Sequence, residues 1–463
     1  MPPEERRPHM TAWCEETPSA HRSGESVETK LHRIAEKARK APRFKFTSLY
    51  HLMNEELLRE CFNRLRKDAA AGIDKMTKGK YAETLEANLS NLIGKLHRMA
   101  YIPQPVRRKY IPKPGSDKQR PLGIPCFEDK LVQAGLVRIL EAVYEQDFIG
   151  DSYGYRPKRN CHQALRALSE SVEKGPVNHI VEADIKGFFD NVNQDWLMKF
   201  LEHRIGDKRI LRMVKRFLRA GVAEGGRITV SDEGTPQGGV ISPLLANIYL
   251  HDALDLWFEK VFRKRCTGQA RLIRVADDFI GCFQYKTDAD EFQRELNERL
   301  GKFGLEVEPT KTRVVEFGRF AARNVKERGE RPKTFDFLGF THYCGTRRDG
   351  KGFRMKRVTA RKKFTAKVKA FKEWLMKART MKTKELWEAA KAKLRGHYSY
   401  YGVSDNLAGI KRFAREAEKL LYKWLNRRGK RQSLSWEKFY EMLKRFPLPE
   451  PRIKVSMFGK SVN

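Results

Sequence analysis

Two short, mostly apolar runs, residues 272–276 and 279–283, are separated only by the acidic pair Asp277-Asp278. Val, Ile, Leu and Phe on both sides of two turn-forming residues predict two strands joined by a tight hairpin. This pairing constrains the fold, because it requires a β-sheet and places two carboxylates at one hairpin tip. Aspartate is also a common turn residue, so the pair by itself fits a purely structural turn as well.

Another carboxylate, Asp184, follows the apolar segment 179–183 and precedes the aromatic residues Phe188 and Phe189. Carboxylates at strand ends supply the oxygen ligands that Mg2+ prefers. A pair of Mg2+ ions held in this way activates a hydroxyl nucleophile and stabilises the transition state of phosphoryl transfer. If Asp184 lies near the hairpin tip, these carboxylates can hold two Mg2+ ions.

The charge balance indicates the class of partner. The chain of 463 residues has 94 Lys and Arg against 58 Asp and Glu, a formal net charge of +36. Such an excess predicts a polyanionic partner, and nucleic acid is the first candidate. An anionic membrane is the competing partner, but we find no stretch of about 18 uncharged apolar residues and expect no membrane association. Seven Cys without a C-x-x-C pattern predict reduced thiols and a cytoplasmic location.

Helical and extended patterns alternate up to about residue 345, and basic helices are expected after it, at 356–378 and 383–394. The alternation predicts an α+β fold with a boundary near Gly345. A helix capped by Asn160 and a long helix from Ser242 are part of this prediction. Residues 1–45 are polar and rich in Pro and Ser at their start, so we interpret them as a mobile extension.

With these segments placed, the chain resembles the reverse transcriptases encoded by group II introns, also called maturases, over about residues 45–455. The motifs that carry the resemblance occur in the family's order and are Ala71-Gly72-Ile73-Asp74, Arg120-Pro121-Leu122-Gly123-Ile124-Pro125, Tyr153-Gly154-Tyr155-Arg156-Pro157, Thr235-Pro236-Gln237-Gly238-Gly239, Ala276-Asp277-Asp278, Phe337-Leu338-Gly339-Phe340 and Leu394-Arg395-Gly396-His397-Tyr398. Two departures matter. Val275 stands where the family usually has Tyr, and no Cys/His-rich endonuclease module occurs up to residue 463.

The resemblance implies a right-hand polymerase. Fingers and palm would occupy residues 46–345, an all-α thumb or maturase region 346–420, and a basic DNA-binding tail 421–463. The implied activity is RNA-directed DNA synthesis, with binding of the parent group II intron RNA to assist splicing and retrohoming. The implied partners are an RNA template with a DNA primer, target DNA and dNTPs, and the implied location is the bacterial cytoplasm at the nucleoid.

By the same resemblance, Asp184, Asp277 and Asp278 are catalytic. Asp184 and Asp277 would be the metal ligands with a backbone carbonyl from Ile185, and Asp278 would support the site. The residues expected to bind the incoming nucleotide are Lys113, Arg120, Phe189, Gln237 and Lys311. The residues expected to contact nucleic acid are Arg156, Phe337, Leu338, Gly339, Arg427, Arg428, Lys430 and Arg431. For the residues of both sets, a purely structural position in the core, in a loop or on a solvated face is the alternative interpretation.

Two other functions fit parts of the sequence. One is a non-enzymatic splicing cofactor that kept the fold and lost synthesis, although clustered carboxylates are costly to keep without a metal. The other is a reverse transcriptase of a bacterial defence or diversity-generating system. The sequence leaves open the intron RNA, the DNA target, the source of the primer, and whether the chain is a monomer or a dimer.

Overall fold

The computed structural model describes residues 25–112, 119–230, 233–235, 238–347, 349–428 and 434–458. The helices are α1 Val27–Lys40, α2 Glu55–Arg64, α3 Lys78–Ala82, α4 Leu85–His97, α5 Phe127–Tyr144, α6 Cys161–Lys174, α7 Gln194–Arg204, α8 Lys208–Leu218, α9 Ser242–Leu250, α10 Arg263–Arg265, α11 Lys286–Gly301, α12 Arg319–Glu327, α13 Arg361–Ala378, α14 Thr383–Tyr401, α15 Leu407–Leu425 and α16 Trp436–Arg445. The strands are β1 Val106–Pro112, β2 Gln119–Ile124, β3 His179–Asp184, β4 Val222–Glu224, β5 Arg227–Thr229, β6 Ala270–Val275, β7 Asp278–Phe283, β8 Arg313–Glu316, β9 Phe335–Phe337, β10 Phe340–Thr346 and β11 Phe353–Thr359. The predicted α+β class is confirmed.

The central sheet has the strand order β6-β7-β3-β8, and the pairs within it are antiparallel. The hairpin predicted around the acidic pair is its β6–β7 unit. Side chains alternate between the two faces of a strand, and Val181 packs into one hydrophobic core while its neighbour Ile180 packs into another. The sheet therefore separates two cores and is covered on both faces, by α11 on one side and by α6 on the other.

Two of the helix predictions are confirmed in detail. Asn160 caps α6 with a reciprocal capping box, in which Gln163 returns a side-chain bond to the cap backbone. The helix predicted to start at Ser242 has Pro243 in its first turn and continues through π-helical turns, His251–Asp255 and Phe258–Phe262, before α10. This long helical run packs along α7 and α11.

The basic, proline-rich segment after residue 103 is extended, as predicted. It forms the β1–β2 pair of a second sheet with the order β2-β1-β4-β5. A third sheet, β11-β10-β9, precedes the C-terminal helices. The boundary expected near Gly345 therefore falls inside β10, and the helix expected from residue 356 begins at Arg361. The reason is that Met355 and Arg357 are both buried on one face of β11. Burial of every second residue is the pattern of a strand, but the basic residues around these positions hide it in the sequence.

The prediction of a mobile extension over residues 1–45 is wrong for α1. Ser26 caps this helix, and Val27, Leu31 and Ala38 are buried where it packs against α5. Burial of one apolar stripe outweighs the polar composition of the segment. Residues 1–24 lie outside the described part of the chain.

Part of the predicted DNA-binding tail is built into the fold. Val455 pairs with Val403 in a parallel bridge, and the side chain of Met457 is buried. The Trp387 indole donates a hydrogen bond of 2.8 Å to the carbonyl of Phe446. These contacts attach the segment after α16 to α14 and to the loop that follows α14. Among the described helices, none has the length and apolar character needed to cross a membrane, and the six described cysteines are free thiols.

Candidate active site

The central sheet brings the predicted carboxylates together. Asp184, the last residue of β3, lies opposite Asp278, the first residue of β7. Asp277 lies beside them in the β6–β7 turn, where Ala276 has a left-handed backbone with φ of 58°. Residues almost one hundred positions apart thus meet at one end of the sheet because β3 is the direct neighbour of β7.

Lys311 also reaches this end of the sheet. The carbonyl of Asp184 accepts a hydrogen bond of 2.8 Å from the N–H of Glu308, and Lys186 N donates to the carbonyl of Glu306 at 2.9 Å. These bonds hold the short helical turn Pro309–Lys311 beside β3, and the Lys311 ammonium forms an ion pair with the Asp184 carboxylate. The hydrogen bond from the Lys311 ammonium to the Asp184 carboxylate raises the pKa of Lys311. The placement of Lys311 matches the sequence prediction, while its role stays a prediction.

Burial and neighbouring negative charge raise the pKa values of Asp277 and Asp278. Burial among protein atoms, followed by the charges of Asp277 and Asp184, raises the pKa of Asp278 to about 6. Lys363 and Lys311 act in the opposite direction on the same group. Burial and the charge of Asp184 likewise raise the pKa of Asp277. Mutually repelling carboxylates of this kind are stabilised by a bound cation.

The donor groups fit a hard divalent cation. Asp184 and Asp277 supply carboxylate oxygens, and Ile185 lies between the two hydrogen bonds that join residues 184–186 to 306–308. At such a non-hydrogen-bonded position the C=O points away from the partner segment, so the Ile185 carbonyl is available as a further oxygen. Within the described residues, no three Asp, Glu, His or Cys side chains converge into one metal cluster. The predicted set does not require such a cluster, since it combines two carboxylates with a carbonyl.

A buried ion pair, Arg274 with Asp255, supports the β6–β7 turn. Both Arg274 and Asp255 have no exposed surface, and Arg274 Nε donates to Asp255 Oδ1 at 2.8 Å. The same guanidinium donates to the carbonyl of Ala276 and to Asn247 Oδ1, each at 3.0 Å. Our sequence reasoning missed this role, although an arginine inside an apolar strand was a visible signal.

Gly154 packs directly against the backbone of the β6–β7 turn. A Cβ at this position would lie 2.2 Å from the backbone nitrogen of Ala276, so only glycine fits. Asn247 Nδ2 donates to the carbonyl of Gly154 at 2.7 Å, which connects this contact to the Arg274 network. The family motif containing Gly154 therefore has a steric function that sequence analysis left unassigned.

Arg156 was expected to contact nucleic acid, but the structure places it inside the protein. Its side chain is 4% exposed and forms an ion pair with Glu145 at 3.1 Å. Its Nη1 also donates to the carbonyls of Ile149 and Ser152, both at 2.7 Å. The expectation failed because the same guanidinium that binds phosphates also satisfies internal carbonyls, and the sequence does not show which partner is near.

Three of the predicted nucleotide-binding residues lie close to the carboxylates or to the loops beside them. Arg120 is exposed on β2, and its charge acts against the pKa rise of Asp277. Phe189 is half-buried against Phe188, with ring centroids 5.3 Å apart, and its carbonyl accepts a bond of 2.8 Å from Thr235 N. Lys311 completes the group. The other two members, Lys113 and Gln237, lie outside the described residues.

The segment Phe337, Leu338 and Gly339 forms a tight turn between β9 and β10. Phe337 is in the core, whereas Leu338 and Gly339 have φ of 50° and 81°. The Tyr400 hydroxyl on α14 donates a bond of 2.8 Å to the Leu338 carbonyl and holds this strained turn. A Cβ on Gly339 would lie 3.8 Å from the Lys363 side chain. Sequence analysis did not identify Tyr400 or Lys363.

The predicted basic contacts near the chain's end are only partly described. Arg427 is exposed, with its guanidinium 5.0 Å from the Trp424 ring. Arg428 donates to the Thr383 hydroxyl at 3.1 Å, which ties it to α14. Lys430 and Arg431 lie outside the described residues. Nucleic-acid binding by these residues stays a prediction.

Residues 111–342 match the family model described as reverse transcriptase (RNA-dependent DNA polymerase). The chain is 38% identical over 252 residues to the group II intron-encoded protein LtrA of Lactococcus lactis subsp. cremoris, which covers 52% of this chain and 41% of that protein. It is 37% identical over 204 residues to protein YkfC of Escherichia coli, covering 43% and 52%. Nuclear intron maturase 2, mitochondrial, of Arabidopsis thaliana is 26% identical over 173 residues, covering 29% and 23%. The chain thus spans about half or less of each relative's length.

Proposed function

This chain belongs to the reverse transcriptase (RNA-dependent DNA polymerase) family, whose domain implies a divalent metal cation, and we propose that it is the RNA-directed DNA polymerase of a group II intron. The observation that carries the proposal is the position of Asp184 opposite Asp278 on neighbouring strands, with Asp277 in the adjoining turn, at one end of the central sheet. The nearby cations of Lys311 and Arg120 suit a triphosphate substrate.

Asp184 and Asp277, with the carbonyl of Ile185, would hold two Mg2+ ions. When bound, such ions activate a primer 3′-hydroxyl and stabilise negative charge on the transferred phosphoryl group. Arg120 and Lys113 would bind the triphosphate of the incoming dNTP, Arg120 through its bidentate guanidinium. Asp278 would add negative charge that keeps the cation site favourable.

Selection and release would use the remaining residues. Phe189 would stack under the sugar and exclude a 2′-hydroxyl, so that deoxynucleotides are preferred. Gln237 would contact the nucleotide from the glycine-rich loop. Lys311, paired with Asp184, would donate a proton to the departing pyrophosphate. The turn at Leu338 and Gly339, held by Tyr400, would position the primer terminus.

The strongly basic surface suits a second activity on RNA. The net charge of +36 and the relatives named as intron proteins support binding of the parent intron RNA, help with its splicing, and copying after insertion into target DNA. We place this activity in the bacterial cytoplasm at the nucleoid. RNA affinity is then expected to fall by orders of magnitude between low and moderate salt, since phosphate contacts release counterions.

The test is primer extension on an RNA template with Mg2+ and dNTPs. Wild-type protein is expected to make cDNA. Asp277→Asn is expected to lose at least roughly a thousandfold in rate, because a metal ligand supplies several kcal/mol of transition-state stabilisation. RNA binding should stay nearly unchanged in that variant. Asp195→Asn, an exposed residue in the first turn of α7, is the matched control.

The outcomes separate the alternatives. No cDNA from wild-type protein, with intact stimulation of intron splicing, would leave a non-enzymatic splicing cofactor. If Asp277→Asn loses both synthesis and RNA binding while Asp195→Asn loses neither, Asp277 is a structural residue and the proposed metal site is wrong.

A further inference from the structure

Three aromatic rings form a partly exposed patch at the C-terminal end of the helical region. Tyr422 on α15 stacks on Trp436 at the start of α16, with centroids 3.7 Å apart and planes 17° apart. Tyr440 lies one turn further along α16, 5.8 Å from Trp436 and tilted by 31°. Trp436 is 40% exposed and Tyr440 is 53% exposed. Tyr422 therefore covers one face of Trp436, while Trp436 and Tyr440 present aromatic surface to solvent.

The patch is held in a fixed position. Phe439, which contacts the rings of both Trp436 and Tyr422, is fully buried in the core of the helical region. Asn426 exchanges two hydrogen bonds with Leu434, of 3.0 and 2.9 Å, and thereby joins the end of α15 to the start of α16. The exposed rings are consequently attached to a rigid base and lose little entropy when a flat ligand stacks on them.

Exposed cations lie near Tyr422. Lys419, one turn before Tyr422, keeps 65% of its side chain exposed although it pairs with Glu416 at 3.4 Å. Lys423 directly follows Tyr422, and Arg427 lies just beyond the end of α15; both are exposed. Aromatic rings flanked by cations fit a ligand that combines flat apolar groups with negative charge. Single-stranded nucleic acid has this chemistry, since each nucleotide carries a base and a phosphate.

We propose that Tyr422, Trp436 and Tyr440 form a stacking site for unpaired bases of single-stranded nucleic acid, with Lys419 and Lys423 contacting the adjacent phosphates. Bases in a duplex are already stacked on one another, so the site selects unpaired nucleotides. It uses residues other than those of the polymerase site, and it holds whether or not the polymerase proposal is correct.

The experiment measures binding of labelled hexanucleotides to the full chain, with a hairpin RNA–DNA primer–template added first to occupy other nucleic-acid surfaces. The probes are U6, dT6 and an abasic hexamer with the same phosphates. Trp436→Ala/Tyr440→Ala is expected to weaken U6 or dT6 binding by roughly tenfold or more, and to leave abasic binding unchanged. The ranking of U6 and dT6 tells whether RNA or DNA is the better occupant.

Three further variants make the result specific. Tyr285→Ala removes a ring that is 45% exposed at the start of α11 and should bind the probes like wild type. Trp436→Phe/Tyr440→Phe keeps aromatic faces and should retain discrimination against the abasic probe, even if the alanine variant is poorly folded. Lys419→Ala/Lys423→Ala should weaken all three probes and reduce the salt dependence.

The proposal is overturned if the alanine variant binds U6 and dT6 as wild type does, which would point to a protein partner for the patch. It is equally overturned if base-containing and abasic probes lose the same affinity. Primer extension by the alanine variant should be unchanged on a short template, so a failure of this proposal is distinguishable from a failure of the polymerase assignment.

Discussion

Asp184 lies directly opposite Asp278 in the antiparallel pair of β3 and β7. A shift of one residue in this register would move every side chain of β7 to the other face of the sheet, so both the core and the carboxylates depend on it. Asp277 belongs to the turn, and its position depends on the left-handed Ala276 and the groups that hold it. The candidate site is therefore as sensitive to the support of the turn as to the carboxylates themselves.

Replacing Gly154 with Ala should damage the site without touching a carboxylate. The new Cβ would meet the Ala276 nitrogen at 2.2 Å, so the turn that carries Asp277 has to move. A displacement of about 1 Å at a catalytic group costs roughly a hundredfold in rate, and we expect a loss of this order in kcat for primer extension. Gly150→Ala is the matched control, because a Cβ there meets no atom within 4 Å. Equal rates for the two variants would contradict the steric role.

The buried pair of Arg274 and Asp255 gives a prediction about stability. Arg274→Met leaves Asp255 buried without its counterion, which is expected to lower the free energy of unfolding by about 3–5 kcal/mol. Arg274→Met/Asp255→Leu removes both charges and should recover much of that loss. Urea denaturation of the wild type and both variants measures the difference. Additive losses in the double variant would show that the two charges do not depend on each other.

The elements that the sequence predicted well depend on local chemistry. The β6–β7 hairpin follows from apolar runs around two turn residues, and the start of α6 follows from the capping pair of Asn160 and Gln163. The approach of Asp184 to the hairpin came from a resemblance, since no local pattern specifies that β3 lies beside β7. Local rules thus gave the elements, and the family motifs gave their arrangement.

The features that escaped prediction depend on partners distant in sequence. Arg156 and Arg427 look alike in the sequence, yet the first is buried against Glu145 and the second is exposed. Tyr400 contacts Leu338 across 62 residues. Whether a polar side chain faces solvent or satisfies a buried group is decided by the tertiary contact, which a single sequence does not show.

Tyr400→Phe tests the support of the 337–339 turn. The change removes the hydroxyl that donates to the Leu338 carbonyl at 2.8 Å and keeps the ring that stacks near Phe340. One net hydrogen bond contributes about 0.5–1.5 kcal/mol, so KM for the primer–template should rise by roughly two- to tenfold. Steady-state primer extension measures this, with kcat changing less. Tyr343→Phe on β10 is the control, and an unchanged KM for Tyr400→Phe would show that the bond does not position the primer.

His397 should make the stability of the helical region depend on pH. Its ring stacks on Phe413 with centroids 3.7 Å apart, and within the described residues neither ring nitrogen has a hydrogen-bond partner. Burial lowers the pKa of His397 to about 4.

The unfolded chain binds a proton at His397 below about pH 6.5, whereas the folded chain does so only near pH 4. The free energy of unfolding therefore falls as the pH is lowered through this window. The contribution is on the order of 3 kcal/mol at full extent. His397→Phe, which keeps the stack, should lose less stability than wild type between pH 7.5 and 5 in urea denaturation, while the exposed control His97→Gln should behave like wild type. Identical losses in all three proteins would show that His397 is not the responsible group.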